Sequence, residues 1–533
     1  MSLKVATSGA ATAAVQSHLD RLIDSKFASR LFAQDATLWG PEAEDESSKR
    51  LGWTNAAEVS QPLVADIMTL RDELQAAGID RIVLCGMGGS SLAPEVMTRT
   101  GGVELVVLDS TNPSQVAQIV NDQIERTAVV VSSKSGSTVE TDSQRRAFLA
   151  AFAEAGIDPT ERLFIVTDPG SPLEQQSRAD GFRVFLADPS VGGRFSALTA
   201  FGLVPAGLAG LDIQSLLNAA ANVADELAAD SPQNPGLVLG AAMAGAEPIK
   251  TYLGIVESGS GIVGFGDWAE QLIAESTGKH DKGLLPVVLS EDAPEIGLPI
   301  PDLTIVRLVA DAAETPALGD EINVSGTLGE QLLLWEVAVA VAGEIIGINP
   351  YDQPDVESAK AAARELLDAT PAPEAPAFVE GHIEVRGSES LLAGHASVAA
   401  VIDALLAAMP ENGYVAIQAY ANRNDLNALT QSRDIIAHRA RRPVTFGWGP
   451  RFLHSTGQFH KGGPKVGVFL QITTSEPTDV TIADRPFTFG ELIRAQAAGD
   501  AAVLEQHNMP VLRLNFTDPV AGTEAFLRIL QEI

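Results

Sequence analysis

Residues 127–141, Thr-Ala-Val-Val-Val-Ser-Ser-Lys-Ser-Gly-Ser-Thr-Val-Glu-Thr, restrict what this chain can fold into more than any other stretch. Their first half is a continuous apolar run rich in β-branched residues, which reads as a strand buried on both faces. Such strands belong to parallel sheets covered by helices. The hydroxyls of the second half, grouped around one glycine, therefore fall where a strand hands over to a helix. There the first backbone N–H groups are unpaired and the helix dipole is positive, so an anion is stabilised. Ser133, Ser135, Ser137 and Thr138 add side-chain donors, a chemistry suited to a phosphate ester. An N-cap followed by an ordinary polar turn would use the same residue types.

Residues 81–92, Arg-Ile-Val-Leu-Cys-Gly-Met-Gly-Gly-Ser-Ser-Leu, repeat the layout of apolar strand, glycine and serine loop, and helix start. Glycine lets the backbone approach a ligand. The spacing is not Gly-x-Gly-x-x-Gly, and neither loop ends in the Gly-Lys-Ser/Thr of a nucleotide P-loop. Two hydroxyl-rich strand ends in one βα series instead suggest a sugar-phosphate site at the carboxyl edge of a parallel sheet.

Around these loops the chain reads as follows. Residues 1–78 form a helical lead-in, with Val15, Leu19, Leu22 and Ile23, then Leu63, Ile67 and Leu70, at helical spacing. From 79 to 230, the strand that opens at Arg81 and strands at 103–108, 128–131, 163–166 and 184–186 alternate with helical segments, as in a doubly wound parallel sheet. From 231 to 368 a second α/β region has strands near 249–256, 285–289 and 303–308, a helix over 266–277, and helices thereafter. Residues 369–377, Ala-Thr-Pro-Ala-Pro-Glu-Ala-Pro-Ala, read as a stiff linker. The C-terminal α/β segment, 378–533, has strands at 414–419, 443–447, 466–472 and 511–514.

With 533 residues, 45% of them hydrophobic, the chain can bury several cores. Its net charge of −33 argues against a nucleic-acid or anionic-membrane partner, because phosphate backbones are bound by basic surfaces. Cys85 is the only cysteine and sits in an expected buried strand, so neither a disulfide framework nor a thiolate metal site is available. No apolar run approaches membrane-spanning length, and the N-terminus lacks a charged-then-apolar signal layout. A cytoplasmic protein is expected.

Several polar residues stand out in this frame. Gln271 and Glu275 lie four apart on one face of the 266–277 helix, with Glu275 in its last turn before Gly278. A carboxylate there feels the negative end of the dipole, which disfavours its charge and makes it a readier proton acceptor. Read alone, Glu275 would be a solvated helix residue, Arg194 a surface charge or cap, Lys360 a snorkelling surface lysine, and His454 a structural histidine. His460 and Lys461 follow at a spacing that does not suit a metal, and no metal is assigned.

Together these stretches resemble the SIS (sugar isomerase) domain, and in particular the glucose-6-phosphate isomerases. The resemblance is carried by Gly86-Met87-Gly88-Gly89-Ser90, by Ser133-Lys134-Ser135-Gly136-Ser137-Thr138, and by Val191-Gly-Gly-Arg-Phe-Ser. Gln271, Glu275, Ser276, Gly278 and Lys279 match a further motif, as do Asn349-Pro-Tyr-Asp-Gln-Pro-Asp-Val-Glu-Ser-Ala-Lys and Leu453-His-Ser-Thr-Gly-Gln. It implies two SIS-type doubly wound parallel-sheet (flavodoxin-like) domains behind the helical lead-in, and no cofactor. It implies Glu275 as catalytic base, Arg194 as stabiliser of the charged intermediate, Lys360 as an active-site lysine and His454 as the ring-opening histidine. Gly89, Ser90, Ser133, Lys134, Ser135, Ser137, Thr138 and Gln271 would bind a small sugar phosphate. The order, with Lys360 before His454 and the linker between, is similar to the isomerase half of fused transaldolase/glucose-6-phosphate isomerase proteins. The first 80 residues are too few for a transaldolase barrel. That order leaves His460 as an alternative for ring opening.

The activity implied is interconversion of glucose 6-phosphate and fructose 6-phosphate, a step of glycolysis and gluconeogenesis. An isomerase of another phosphosugar, such as mannose 6-phosphate, and a non-catalytic sugar-phosphate sensor are the alternatives. The family is commonly dimeric with sites near the subunit interface, which makes a homodimer the assembly to test. Composition leaves open whether His454 serves its own chain's site or a partner's.

Overall fold

The computed structural model describes residues 2–369 and 374–532, without the side chains of residues 356, 357, 359, 360, 368 and 369. The lead-in is mostly helical, as its spacing predicts, yet it opens on a strand, β1 (Lys4–Thr7). The first parallel sheet follows, built from β2 (Arg81–Gly86), β3 (Val106–Leu108), β4 (Thr127–Ser132), β5 (Leu163–Thr167) and β6 (Arg183–Leu186). Its order is β3-β2-β4-β5-β6 and every pairing is parallel. β4 is buried along its whole length, as its β-branched run requires. Cys85 in β2 is fully buried, and burial pushes its thiol up.

The second sheet holds β7 (Tyr252–Ser258), β8 (Leu285–Leu289), β9 (Leu303–Val309) and β10 (Glu321–Ser325) in the order β1-β10-β9-β7-β8. β10 falls where the sequence suggested only helices. β1 pairs with it antiparallel, so the N-terminus seals an otherwise open sheet edge. Behind this sheet runs the helix Leu328–Ile346, capped by a Thr327–Glu330 box and apolar on all sides. Helices of the lead-in and of both sheets surround it, and Trp39 donates its Nε1–H to the Ala340 carbonyl at 2.9 Å.

The C-terminal segment has a sheet of its own. It consists of β11 (Phe378–Glu380), β12 (Ile383–Gly387), β13 (Tyr414–Tyr420), β14 (Val444–Trp448), β15 (Gly467–Thr474) and β16 (Val511–Phe516), ordered β11-β12-β16-β15-β13-β14. Four strands are parallel, and the two unforeseen ones, β11 and β12, add on antiparallel. Of the expected linker, Ala369 ends the helix Val356–Ala369, and residues 370–373 lie outside the described residues. Among the described residues no helix is long and apolar enough to cross a membrane.

Candidate active site

The carboxyl ends of β2 and β4 deliver the two hydroxyl loops side by side, because these strands are direct neighbours in the first sheet. After β4 the loop folds on itself. Gly136 N–H donates to Ser133 Oγ at 3.1 Å, and the hydroxyls of Ser135 and Ser137 lie 2.6 Å apart at the surface. Gly136 has φ +78, and a Cβ there would meet Leu173 at 2.5 Å, so the turn needs glycine. Thr138 is the N-cap of the helix Val139–Glu154, whose unpaired N–H groups face the loop. Ser133 is buried and shapes the turn, whereas Ser135 and Ser137 present hydroxyls outward. Lys134 is held from behind: its Nζ donates to the Val191 carbonyl and lies 3.0 Å from Asp168 Oδ2. Burial pulls its ammonium below the usual lysine value, and Asp168 opposes that shift.

The loop after β2 touches two distant stretches. Gly88 has φ +54, and a Cβ on it would sit 2.7 Å from Gln271 Nε2 and 2.8 Å from the His454 carbonyl oxygen. On Gly89 a Cβ would come within 2.0 Å of the Gly193 carbonyl. Glycine is thus required for the close approach of this loop to the Gly193–Phe195 turn, the helix Phe265–Thr277 and the turn Arg451–His454. Ser90, at the end of the same loop, is half-buried.

Arg194 and Glu275 form the centre. The guanidinium Nη1 lies 3.3 Å from Glu275 Oε1, and their side chains are only 3% and 14% exposed. The other carboxylate oxygen, Oε2, accepts from Gln271 Nε2 at 3.0 Å, which is the contact expected of residues four apart on a helix. Arg194 uses the rest of its planar fork fully: Nε donates to Ser276 Oγ at 2.8 Å, Nη1 to Gln353 Oε1 at 2.9 Å, and Nη2 to the Pro350 and Asp352 carbonyls at 2.6 and 3.1 Å. Burial pulls the guanidinium below its ordinary value, and the nearby charges of Glu275 and Asp352 resist this. Lys279, fully buried, donates to the Asn349 carbonyl at 2.7 Å and to Asp352 Oδ1 at 2.7 Å. Burial lowers it to about 8, Arg194 adds to the shift, and Asp352 counters it. Residues 349–353 therefore form a strap held by Arg194 and Lys279, and the helix carrying Lys360 begins just beyond it. The Lys360 side chain lies outside the described residues.

The two candidate histidines have different surroundings. His454 Nε2 lies 3.0 Å from Glu140 Oε1, and Gln496 Nε2 donates to that same oxygen at 2.7 Å. Glu140 belongs to the helix that Thr138 caps, so the ring stands beside the hydroxyl loop. His460 is buried, stacked on Tyr414 with its Nδ1 2.8 Å from the phenol oxygen. Burial, aided by Lys461, lowers it to about 3, so its imidazole is neutral. Sequence reasoning missed Glu140, Gln496, Asp352 and Gln353 as members of the site. Glu140 carried a faint signal, an acid in the first turn of a helix, which reads equally well as dipole matching.

Comparisons with known proteins bear on the sequence and the fold. The sequence profile of the family described as "Phosphoglucose isomerase" matches residues 73–257. The chain is 28% identical over 375 residues to a Haloarcula marismortui protein named "Probable glucose-6-phosphate isomerase", covering 60% of this chain and 86% of that protein. It is likewise 28% identical over 362 residues to the glucose-6-phosphate isomerase of Rubrobacter xylanophilus, covering 55% of this chain and 84% of that one. Among solved structures, a hypothetical protein from Thermus thermophilus superimposes with a TM-score of 0.58 at 23% identity, over 68% of this chain and 99% of that chain. A glucose-6-phosphate isomerase from Chlamydia trachomatis does so with a TM-score of 0.54 at 19% identity, over 66% and 86%. The profile match runs through the hydroxyl loops and Arg194, and with the run of similar sequences it makes this chain similar to the glucose-6-phosphate isomerases, whose fold it shares.

Proposed function

We propose that the protein interconverts glucose 6-phosphate and fructose 6-phosphate through a cis-enediol intermediate, with Glu275 as the base that moves the proton between C2 and C1. One observation carries this reading. A carboxylate in the last turn of a helix is held between a fully engaged buried arginine and a glutamine, beside a histidine–carboxylate pair and a hydroxyl loop at a helix N-terminus. A sugar-phosphate sensor would need only the loop.

The loop of Ser133, Ser135, Ser137 and Thr138, with Gly89 and Ser90 beside it and Lys134 behind, receives the phosphate and anchors the sugar away from its reacting carbons. His454, steadied by Glu140 and assisted by Lys360, transfers a proton from the anomeric hydroxyl to the ring oxygen as the C1–O5 bond breaks. Glu275 then takes the C2 proton while O1 is protonated, giving the enediol. It returns a proton to C1 as O2 loses its own, which leaves the ketose. Arg194, whose donors are all taken by Glu275, Gln353, Ser276 and the strap, stabilises the negative charge of these steps through the field of its buried guanidinium. Gln271 fixes the orientation of the base. The anionic substrate meets local positive charge at Lys134, Arg194 and Lys279 despite the acidic surface, and a cytoplasmic location suits the single buried thiol.

The test is a coupled assay with fructose 6-phosphate, reading glucose 6-phosphate and mannose 6-phosphate in parallel, for the wild type and Glu275→Gln. Glucose 6-phosphate is the expected product. The variant is expected to lose at least about a hundredfold in kcat while still binding the sugar phosphate. Wild-type turnover by Glu275→Gln would overturn the assignment of the base, and mannose 6-phosphate as the main product would overturn that of the substrate.

A further inference from the structure

We infer that His454 acts on the site of its own chain, and that the C-terminal segment is a built-in partner that lets one polypeptide carry a complete site. The inference rests on the function proposed above. The family resemblance pointed instead to sites near a subunit interface.

Short polar contacts pin the His454 turn to the units before it in sequence. Arg451, three residues earlier, donates through Nη1 to Asp109 Oδ2 at 2.9 Å in the first unit and pairs with Glu95. His454 meets Glu140, and its carbonyl lies against Gly88 so closely that no side chain fits between. Gln496 spans the same boundary: it donates to Glu140 and accepts from Thr111 Oγ1 at 2.7 Å. Gln458 Nε2 donates to the Gly278 carbonyl at 2.9 Å, just past the helix of Glu275.

The apolar contacts are those of an interior. Tyr414, Phe459, Phe469 and Leu504 share one buried cluster with Tyr252 and Leu285 of the second sheet. Ile482 and Phe489 enter the cluster formed by Val83, Val129 and Val131 of the first. Surfaces joined in this way have no room for a second chain's segment at the same place. The covalent path also binds the unit locally. The helix Val356–Ala369 leaves the strap that holds Arg194 and packs on the helix Phe489–Gln506, where a Cβ on Gly499 would touch the Ala363 backbone at 2.9 Å.

Subunit complementation tests this on the full chain. Glu275→Gln and His454→Asn are produced singly and co-expressed with different tags, and isomerisation of fructose 6-phosphate is measured for the wild type, each variant, and the doubly tagged or mixed material. With a self-contained site, mixing restores nothing: the mixture equals the sum of the two defective proteins, and wild-type activity per chain stays constant on dilution. If His454 served a partner's site, half of randomly mixed dimers would hold both variants with one intact site each, and about a quarter of wild-type activity would return. Restoration to that level overturns the inference. A wild type that isomerises nothing overturns the function itself, and the inference falls with it.

Discussion

Nε2 of His454 and Oε1 of Glu140, 314 residues apart in sequence, stand 3.0 Å from each other at the edge of the hydroxyl loop. A carboxylate in that position fixes the ring and stabilises the imidazolium that forms when it accepts a proton. In the proposed mechanism Glu140 positions His454. Glu140→Gln keeps the shape and removes the charge. It is expected to lower kcat by about ten- to a hundredfold with KM nearly unchanged, and to shift the acidic limb of the kcat profile. Steady-state kinetics between pH 5 and 9 check this, and an unaltered profile would remove Glu140 from the mechanism.

Arg194 distributes its donors over Ser276, Gln353 and two carbonyls while facing Glu275. A lysine cannot reproduce that fork, so Arg194→Lys is expected to lose about a hundred- to a thousandfold in kcat. Competitive inhibition by inorganic phosphate should be retained, because the anchoring loop is untouched. An equal loss of phosphate affinity would show that Arg194 shapes the loop and does not serve the intermediate.

His460 offers a pH prediction with a defined sign. Its folded value of about 3 lies below the ordinary 6.5, so between these limits the unfolded chain binds a proton that the folded chain does not. Stability is therefore complete above pH 6.5 and is lost as pH falls toward 3, by up to about 1.4 kcal/mol per pH unit from this group. His460→Gln should flatten that part of the curve in urea unfolding, and a slope identical to wild type would disprove the buried neutral ring.

Glu336 sits in the middle of the apolar helix Leu328–Ile346, 1% exposed, with no hydrogen-bond partner at either carboxylate oxygen. Burial raises its carboxyl well above the ordinary 4.5, so the folded chain binds the extra proton and stability falls as pH rises above that value. Glu336→Leu removes the buried acid and is expected to stabilise the fold by about 1–3 kcal/mol, more at pH 7 than at pH 4.5. Thermal unfolding at the two pH values checks both the gain and its direction.

The parts of the site written locally were legible. The hydroxyl loops follow their strands directly, and Gln271 and Glu275 lie one turn apart, so spacing alone put them at strand ends and on one helix face. The parallel sheets followed from apolar strands alternating with helical stretches. Short edge strands left no such pattern: β1 and β11 have four and three residues, and their pairing is decided by partners remote in sequence. The surroundings of His454 and His460, only six residues apart, could not be separated by any local pattern.

Local sequence was enough for the α/β class, the strand-to-helix loops able to hold a phosphate, and the helix that presents Glu275, because each depends on residues within one or two turns of each other. Long-range packing was needed to bring Arg194 to face Glu275, to set Glu140 and Gln496 behind His454, and to enclose His460 against Tyr414. Those relations join residues 46 to 356 positions apart, and they exist only once three sheets have packed together and excluded water between them.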